Sequence, residues 1–110
     1  MKRLGFKPEF QPDILSGRKT ATIRANDKKL KVGDRVAAVS AKDGKPDFLI
    51  PASERFALLE ITEDRPIFWA DVADDHLIRT TAPRDWYVKH IPMLTGSTML
   101  HFYGFKVVGS

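Results

Sequence analysis

The chain has 110 residues, of which 43% are hydrophobic and 29% charged, with a formal net charge of +4 and no cysteine. That length supports one domain, residues 1–110, with a single modest core, and the composition is that of an ordinary globular protein. The absent cysteines exclude a disulfide framework and a thiolate metal site, and no apolar run approaches the roughly 20 residues of a membrane helix.

Charge is unevenly spread. Residues 1–35 carry ten Lys or Arg against four Asp or Glu, whereas residues 36–110 carry eight against ten. A basic first third suits an anionic partner such as phosphate, nucleotide or nucleic acid, although a solvated lysine-rich surface gives the same count. Met1-Lys2-Arg3 is followed by Leu4-Gly5-Phe6-Lys7, which breaks off before the apolar core of a signal peptide. A cytoplasmic location is expected, without membrane contact.

In chain order, Lys2 to Phe6 alternates and predicts a strand that Pro8 ends. Pro12 and Asp13 suit a first helical turn, Phe10, Ile14 and Leu15 give it an apolar side, and Gly17 stops it. From Lys19 to Ala25 the period becomes two, with Ala21 and Ile23 on one face and Thr20, Thr22 and Arg24 on the other. A polar loop and a turn at Lys31-Val32-Gly33-Asp34 lead to a strand from Arg35 to Ala41 that is apolar on both faces. Asp43-Gly44 signals a hairpin turn. Phe48-Leu49-Ile50, flanked by Pro46 and Pro51, reads as a short edge strand or an apolar loop.

Arg55 to Thr62 predicts another strand, ended or bulged at Pro66. Trp69, Val72, Ala73, His76 and Leu77 recur at helical spacing. Thr80-Thr81-Ala82-Pro83 starts a second helix with a threonine cap, and Pro92 closes it. Met99 to Val108 is the last strand. The order predicts an α+β fold, a small mixed β-barrel of five to six strands with about three helices, whose closure would protect the sheet edges.

The densest chemistry lies in Ile14-Leu15-Ser16-Gly17-Arg18-Lys19-Thr20-Ala21-Thr22-Ile23-Arg24. Arg18, Lys19 and Arg24 can meet phosphates, and Thr20 and Thr22 can hydrogen-bond to phosphate or base edges. Phe48, Phe68, Trp69, Trp86 and Tyr87 are candidate stacking platforms for a base, and each also reads as core. Arg24 can alternatively bridge strands through Glu60 or Glu63. His76, His90 and His101 lack metal-ligand spacing, so no metal or cofactor is expected.

The run from Ile14 to Arg24, followed by Lys31-Val32-Gly33-Asp34, resembles the ASCH domain. That resemblance implies a PUA-like β-barrel and a role with RNA or nucleotides, in a cleft beside the Gly-Arg-Lys-Thr segment. One bacterial branch of the family deacetylates N4-acetylcytidine-type nucleosides. Its catalytic lysine falls on Lys19 and its threonine on Thr22. Its glutamate lies four residues after a histidine that matches His76, where this chain has Thr80; Asp74 and Asp75 are the nearby acids.

On this reading Lys19 is a base and Thr22 a nucleophile or donor, provided burial and the Arg18 and Arg24 charges lower the lysine pKa. Lys19 and Thr22 are an odd number of residues apart. They converge only if Lys19 precedes the regular pleat or a bulge intervenes. The sequence therefore supports an RNA- or nucleotide-binding module as the first expectation, with single-stranded RNA or a nucleoside as partner and a monomeric state. An amidohydrolase or RNA-cleaving relative is the second, and a ligand-free interaction domain the third.

Overall fold

The alternating residues at the start of the chain form β1 (Lys2–Phe6), with Leu4 and Phe6 buried. The computed structural model describes residues 1–109, and of Asp43 the backbone alone. β1 runs parallel to β3 (Arg35–Ser40). The remaining pairings are antiparallel: β3 with β4 (Ala57–Phe68), β4 with β5 (Met99–Gly109), and β5 with β2 (Ala21–Arg24). The result is one mixed five-stranded sheet in the order β1-β3-β4-β5-β2. Three short helices accompany it, α1 (Gln11–Leu15), α2 (Asp74–Thr80) and α3 (Arg84–His90), as the α+β expectation requires.

β1 and β2 are the two edges of this sheet, and no ladder joins them. Instead Arg24, at the end of β2, donates from Nη2 to the Gly5 carbonyl of β1 at 2.7 Å. The barrel closes through a side chain, which leaves a seam where continuous pairing was expected.

β3 is apolar on both faces because it separates two clusters. Val36 and Ala38 pack into the main core with Leu4, Phe6, Leu59 and Phe105. Ala37 and Val39 meet Ile50 in a smaller cluster on the other face. The cover over that second cluster is neither a hairpin nor an edge strand. It is a chain of 3-10 turns at Lys42–Gly44, Asp47–Leu49 and Ala52–Glu54, the last two entered from Pro46 and Pro51. Proline fixes the extended residue before each turn and donates to no ladder.

β4 continues through Pro66 to Phe68, with a register shift between Ile61 and Glu63. Its far half pairs with β5 alone, since β3 reaches only Ala57 to Glu60. The missing N–H of Pro66 therefore deprives no second ladder.

The single helix expected from Trp69 is divided into a 3-10 turn, Trp69–Asp71, and α2. Trp69 and Ala70 donate their N–H groups to the Thr98 and Gly96 carbonyls, which ties that segment to the approach to β5. α2 starts afterwards, with His76 Nδ1 accepting from the Ala73 N–H at 2.9 Å. Pro83, not a threonine, stands at the N-cap of α3; Thr81 ends α2 in the left-handed region at φ 56. Among the described residues, no helix is long and apolar enough to cross a membrane.

Candidate functional site at the β1–β2 seam

Gly17, at φ +82, ends α1 in the left-handed region where glycine is favoured. The chain then returns past α1, with the Lys19 N–H on the Asp13 carbonyl at 2.9 Å and the Thr20 N–H on the Arg79 carbonyl at 2.8 Å. β2 begins only at Ala21. Lys19 thus precedes the pleat, and this resolves its odd spacing from Thr22: both line one cavity. The cavity has a volume of about 390 Å³ and lies between the β1 and β2 edges, with α3 on one wall.

Lys19 is 3% exposed. Its Nζ donates to the Thr80 carbonyl and lies 4.5 Å from the Phe10 ring centroid. Burial, and secondarily the Arg24 charge, lower its pKa from 10.5 to about 7, with Asp13 opposing. Near neutral pH the side chain is therefore divided between ammonium and free amine. Thr22 is buried as well, and its hydroxyl oxygen accepts from Arg24 Nε at 2.9 Å.

Arg24 spends its planar fork on three partners. Besides Thr22 and the Gly5 carbonyl, its Nη1 lies 3.8 Å from Asp47 Oδ2, and its guanidinium stands 5.0 Å from the Phe6 ring centroid. Burial lowers its pKa, and Asp47 opposes the shift. The same Asp47 oxygen lies 3.5 Å from Lys28 Nζ and has no hydrogen-bond partner. The expected bridge from Arg24 to Glu60 or Glu63 does not form. Glu63 binds Arg79, and Glu60 faces Arg35 and Lys106.

Asp47 comes from the 3-10 turn Asp47–Leu49, and Gly5 makes room for it. A Cβ at position 5 would overlap the Asp47 carboxylate. A glycine within a strand often marks such a close approach, and this was the one sequence signal for a residue that the spacing of charges does not reveal.

On the α3 wall, Trp86, Tyr87 and His90 line the cavity with Phe6 and Phe10. Trp86 meets Phe10 edge to face at 5.4 Å and stacks on His90 at 4.1 Å. Burial pushes the Tyr87 phenol up to about 12, with Thr80 and Arg24 opposing, so it remains a hydrogen-bond donor. The sequence did not single out His90 for this wall; only its one-turn spacing from Trp86 hints at it.

The other named residues lie elsewhere. Arg18 is exposed and pairs with Asp13 at 2.6 Å. The Thr20 hydroxyl accepts from Arg79 Nε at 3.1 Å. Neither side chain lines the seam cavity. Thr80 is fully buried, with its hydroxyl donating to the Leu77 carbonyl, so this position offers Lys19 a backbone oxygen and no carboxylate. Asp74 pairs with Arg84, and neither it nor Asp75 lines the cavity. Phe48 and Phe68 are exposed, and Trp69 packs against Tyr87.

Several solved structures share this fold. An ASCH domain from Zymomonas mobilis superposes with a TM-score of 0.71 at 13% identity, covering 94% of this chain and 64% of that protein. An ASCH domain from Lactobacillus crispatus JV V101 gives 0.65 at 17% identity, over 90% of this chain and 70% of the other. The chain has the ASCH fold. A protein from Enterococcus faecalis V583 described by the DUF984 family model shares it, with a TM-score of 0.69 and 15% identity over 99% of this chain and 81% of its own. No family model matches the sequence, and no curated protein matches it.

Proposed function

We propose that this ASCH-fold chain binds one nucleoside or nucleotide unit, free or within single-stranded RNA, in the seam cavity. The observation that carries the reading is the row of buried Lys19, buried Thr22 and half-buried Arg24 opening into the same cavity as Phe6, Phe10, Trp86 and Tyr87. Its volume of about 390 Å³ lies in the range of small-ligand sites, which are mostly apolar with a few convergent polar groups. An unstacked base supplies the matching chemistry, a flat ring for aromatic walls and polar edges for fixed donors. Titration of pyrimidine and purine nucleosides, nucleotides and short single-stranded RNA, followed by tryptophan fluorescence, tests it. Saturable binding that Arg24→Ala abolishes is expected. Absence of binding to every one of these compounds at low salt would overturn the reading.

The lowered pKa of Lys19 supports a second reading, hydrolysis of an N-acylated cytidine-type nucleoside. A neutral lysine amine can keep one N–H on the Thr80 carbonyl and still present its lone pair. It would take the Thr22 proton as that oxygen bonds the acyl carbon, and deliver the proton to the departing amine as the C–N bond breaks. Water would then release the acyl group from Thr22. Acetate release from N4-acetylcytidine, lost in Lys19→Met and in Thr22→Val, is the expected result; no release over hours at high protein concentration refutes this reading and leaves binding intact.

A further inference from the structure

Building on the cavity reading above, we infer that its mouth carries a phosphate site formed by Lys7, Lys42 and Lys45, so that the preferred ligand is a nucleotide or RNA strand in place of a free nucleoside. The seam cavity adjoins a second groove lined by Lys7, Pro8, Glu9, Ala41, Lys42 and Gly44; the two share Lys7, Ala41 and Gly44. Lys45 lines the cavity itself. The three lysines come from the end of β1 and from the turn after β3. The Ala41 N–H, on the Phe6 carbonyl at 2.8 Å, holds those two segments together. The two segments that carry the lysines are therefore held side by side at the end of the β1–β3 pairing.

Charge is divided between interior and mouth. Inside, Arg24 is committed to Thr22, Gly5 and Asp47. Lys28 faces Asp47, and Lys19 is bonded to the Thr80 carbonyl. The donors of these interior groups are thus largely engaged within the protein. At the mouth the three lysines are exposed and, among the described side chains, none forms an ion pair. The acids near them are Glu9 in the groove, Asp47 in the cavity lining that holds Lys7 and Lys45, and Asp43 in the sequence. Lysine ammonium groups act on phosphate as mobile point charges, without the bidentate geometry of arginine. A mouth of this kind adds affinity for phosphate while the interior recognises base and sugar.

The test compares a nucleoside, its 3′- and 5′-monophosphates and a short single-stranded oligonucleotide of the same base, at two salt concentrations. The wild type is expected to bind at least one phosphorylated form about tenfold more tightly than the nucleoside at low salt, with the margin shrinking as salt rises. The triple variant Lys7→Ala, Lys42→Ala, Lys45→Ala is expected to reduce that margin, taken against its own nucleoside affinity, to about twofold or less. Lys45→Glu alone should narrow it, and Lys31→Ala, outside both linings, should not. A monophosphate advantage identifies a nucleotide site; an advantage confined to the oligonucleotide identifies an RNA strand. Equal binding of nucleoside and phosphorylated forms, or a margin that survives in the triple variant, overturns the phosphate site while the cavity reading stands. If the wild type binds none of the compounds, both fail.

Discussion

Two arginines flank the Thr20–Arg24 segment and bond in nearly the same way. Arg79 donates from Nε to the Thr20 hydroxyl and lies 5.2 Å from the Phe102 ring centroid. Arg24 donates from Nε to the Thr22 hydroxyl and lies 5.0 Å from the Phe6 centroid. They differ in what completes them. Arg79 is hydrogen-bonded to Glu63 at 2.7 Å and ties α2 to β4. Arg24 meets its acid, Asp47, only at 3.8 Å, replaces a missing ladder, and faces a cavity. The same side chain with a similar threonine partner is a clamp on one side and a candidate ligand contact on the other. Residue type and local bonding do not decide which; the open volume beside the guanidinium does.

The comparison is broken most severely at Arg24. Arg24→Ala is expected to cost about 2–4 kcal/mol in urea denaturation, because it removes the hydrogen bonds to Thr22 and the Gly5 carbonyl and leaves half-buried Asp47 with Lys28 alone, and to abolish cavity binding. Arg79→Ala is expected to cost about 1–2 kcal/mol through lost hydrogen bonds and to leave binding unchanged. Equal effects of the two substitutions on binding would erase the distinction drawn between them.

Lys19 sharpens it through pH. Its pKa is about 7 when folded against 10.5 ordinarily, so the unfolded chain binds more protons between those values. Stability contributed by this residue therefore rises as pH goes from about 7 towards 10.5, and the penalty is complete below 7. Lys19→Met is expected to be favoured relative to the wild type at pH 6 and to lose roughly 2–4 kcal/mol of that advantage by pH 10. A stability difference that is flat with pH rules out the lowered value.

Gly5→Ala is the next in size, about 1–3 kcal/mol of overpacking against Asp47, with weaker ligand binding measured alongside it. Arg18→Ala should change stability by less than about 0.5 kcal/mol, as an exposed pair does, and should leave the cavity's affinity alone. A large binding defect there would place the ligand outside the seam.

Runs of β-favouring residues between turn signals located the strands that became β1, β2, β3 and β5, although burial does not alternate along them: Leu4 to Phe6, Ala21 to Ile23, Val36 to Val39 and Phe102 to Phe105 are each buried in succession. Sequence periodicity failed between Lys42 and Glu54, where prolines and 3-10 turns carry no period, and that stretch holds Asp47. It also merged the Trp69–Asp71 turn with α2, because apolar spacing cannot show that Trp69 and Ala70 bond to Thr98 and Gly96. The site was legible where it is contiguous: Lys19, Thr22 and Arg24 come from six consecutive residues. Trp86 and Tyr87 were among the aromatic candidates and do line the cavity, whereas Asp47 and His90 arrive through topology. The partner of Arg24 was misread because sheet register decides it: Arg24 opposes His101, while Glu63 opposes Gly104.

The seam also determines where the molecule can breathe. Separating any paired strands means breaking a ladder of backbone bonds together. Parting β1 from β2 requires release of one guanidinium and the contacts around it. Local opening follows the path with the fewest cooperative bonds, so transient widening is concentrated at the cavity and need not unravel the sheet. A ligand can thus enter through a fluctuation of the intact fold, and once bound across both edges it would act as the missing crosslink.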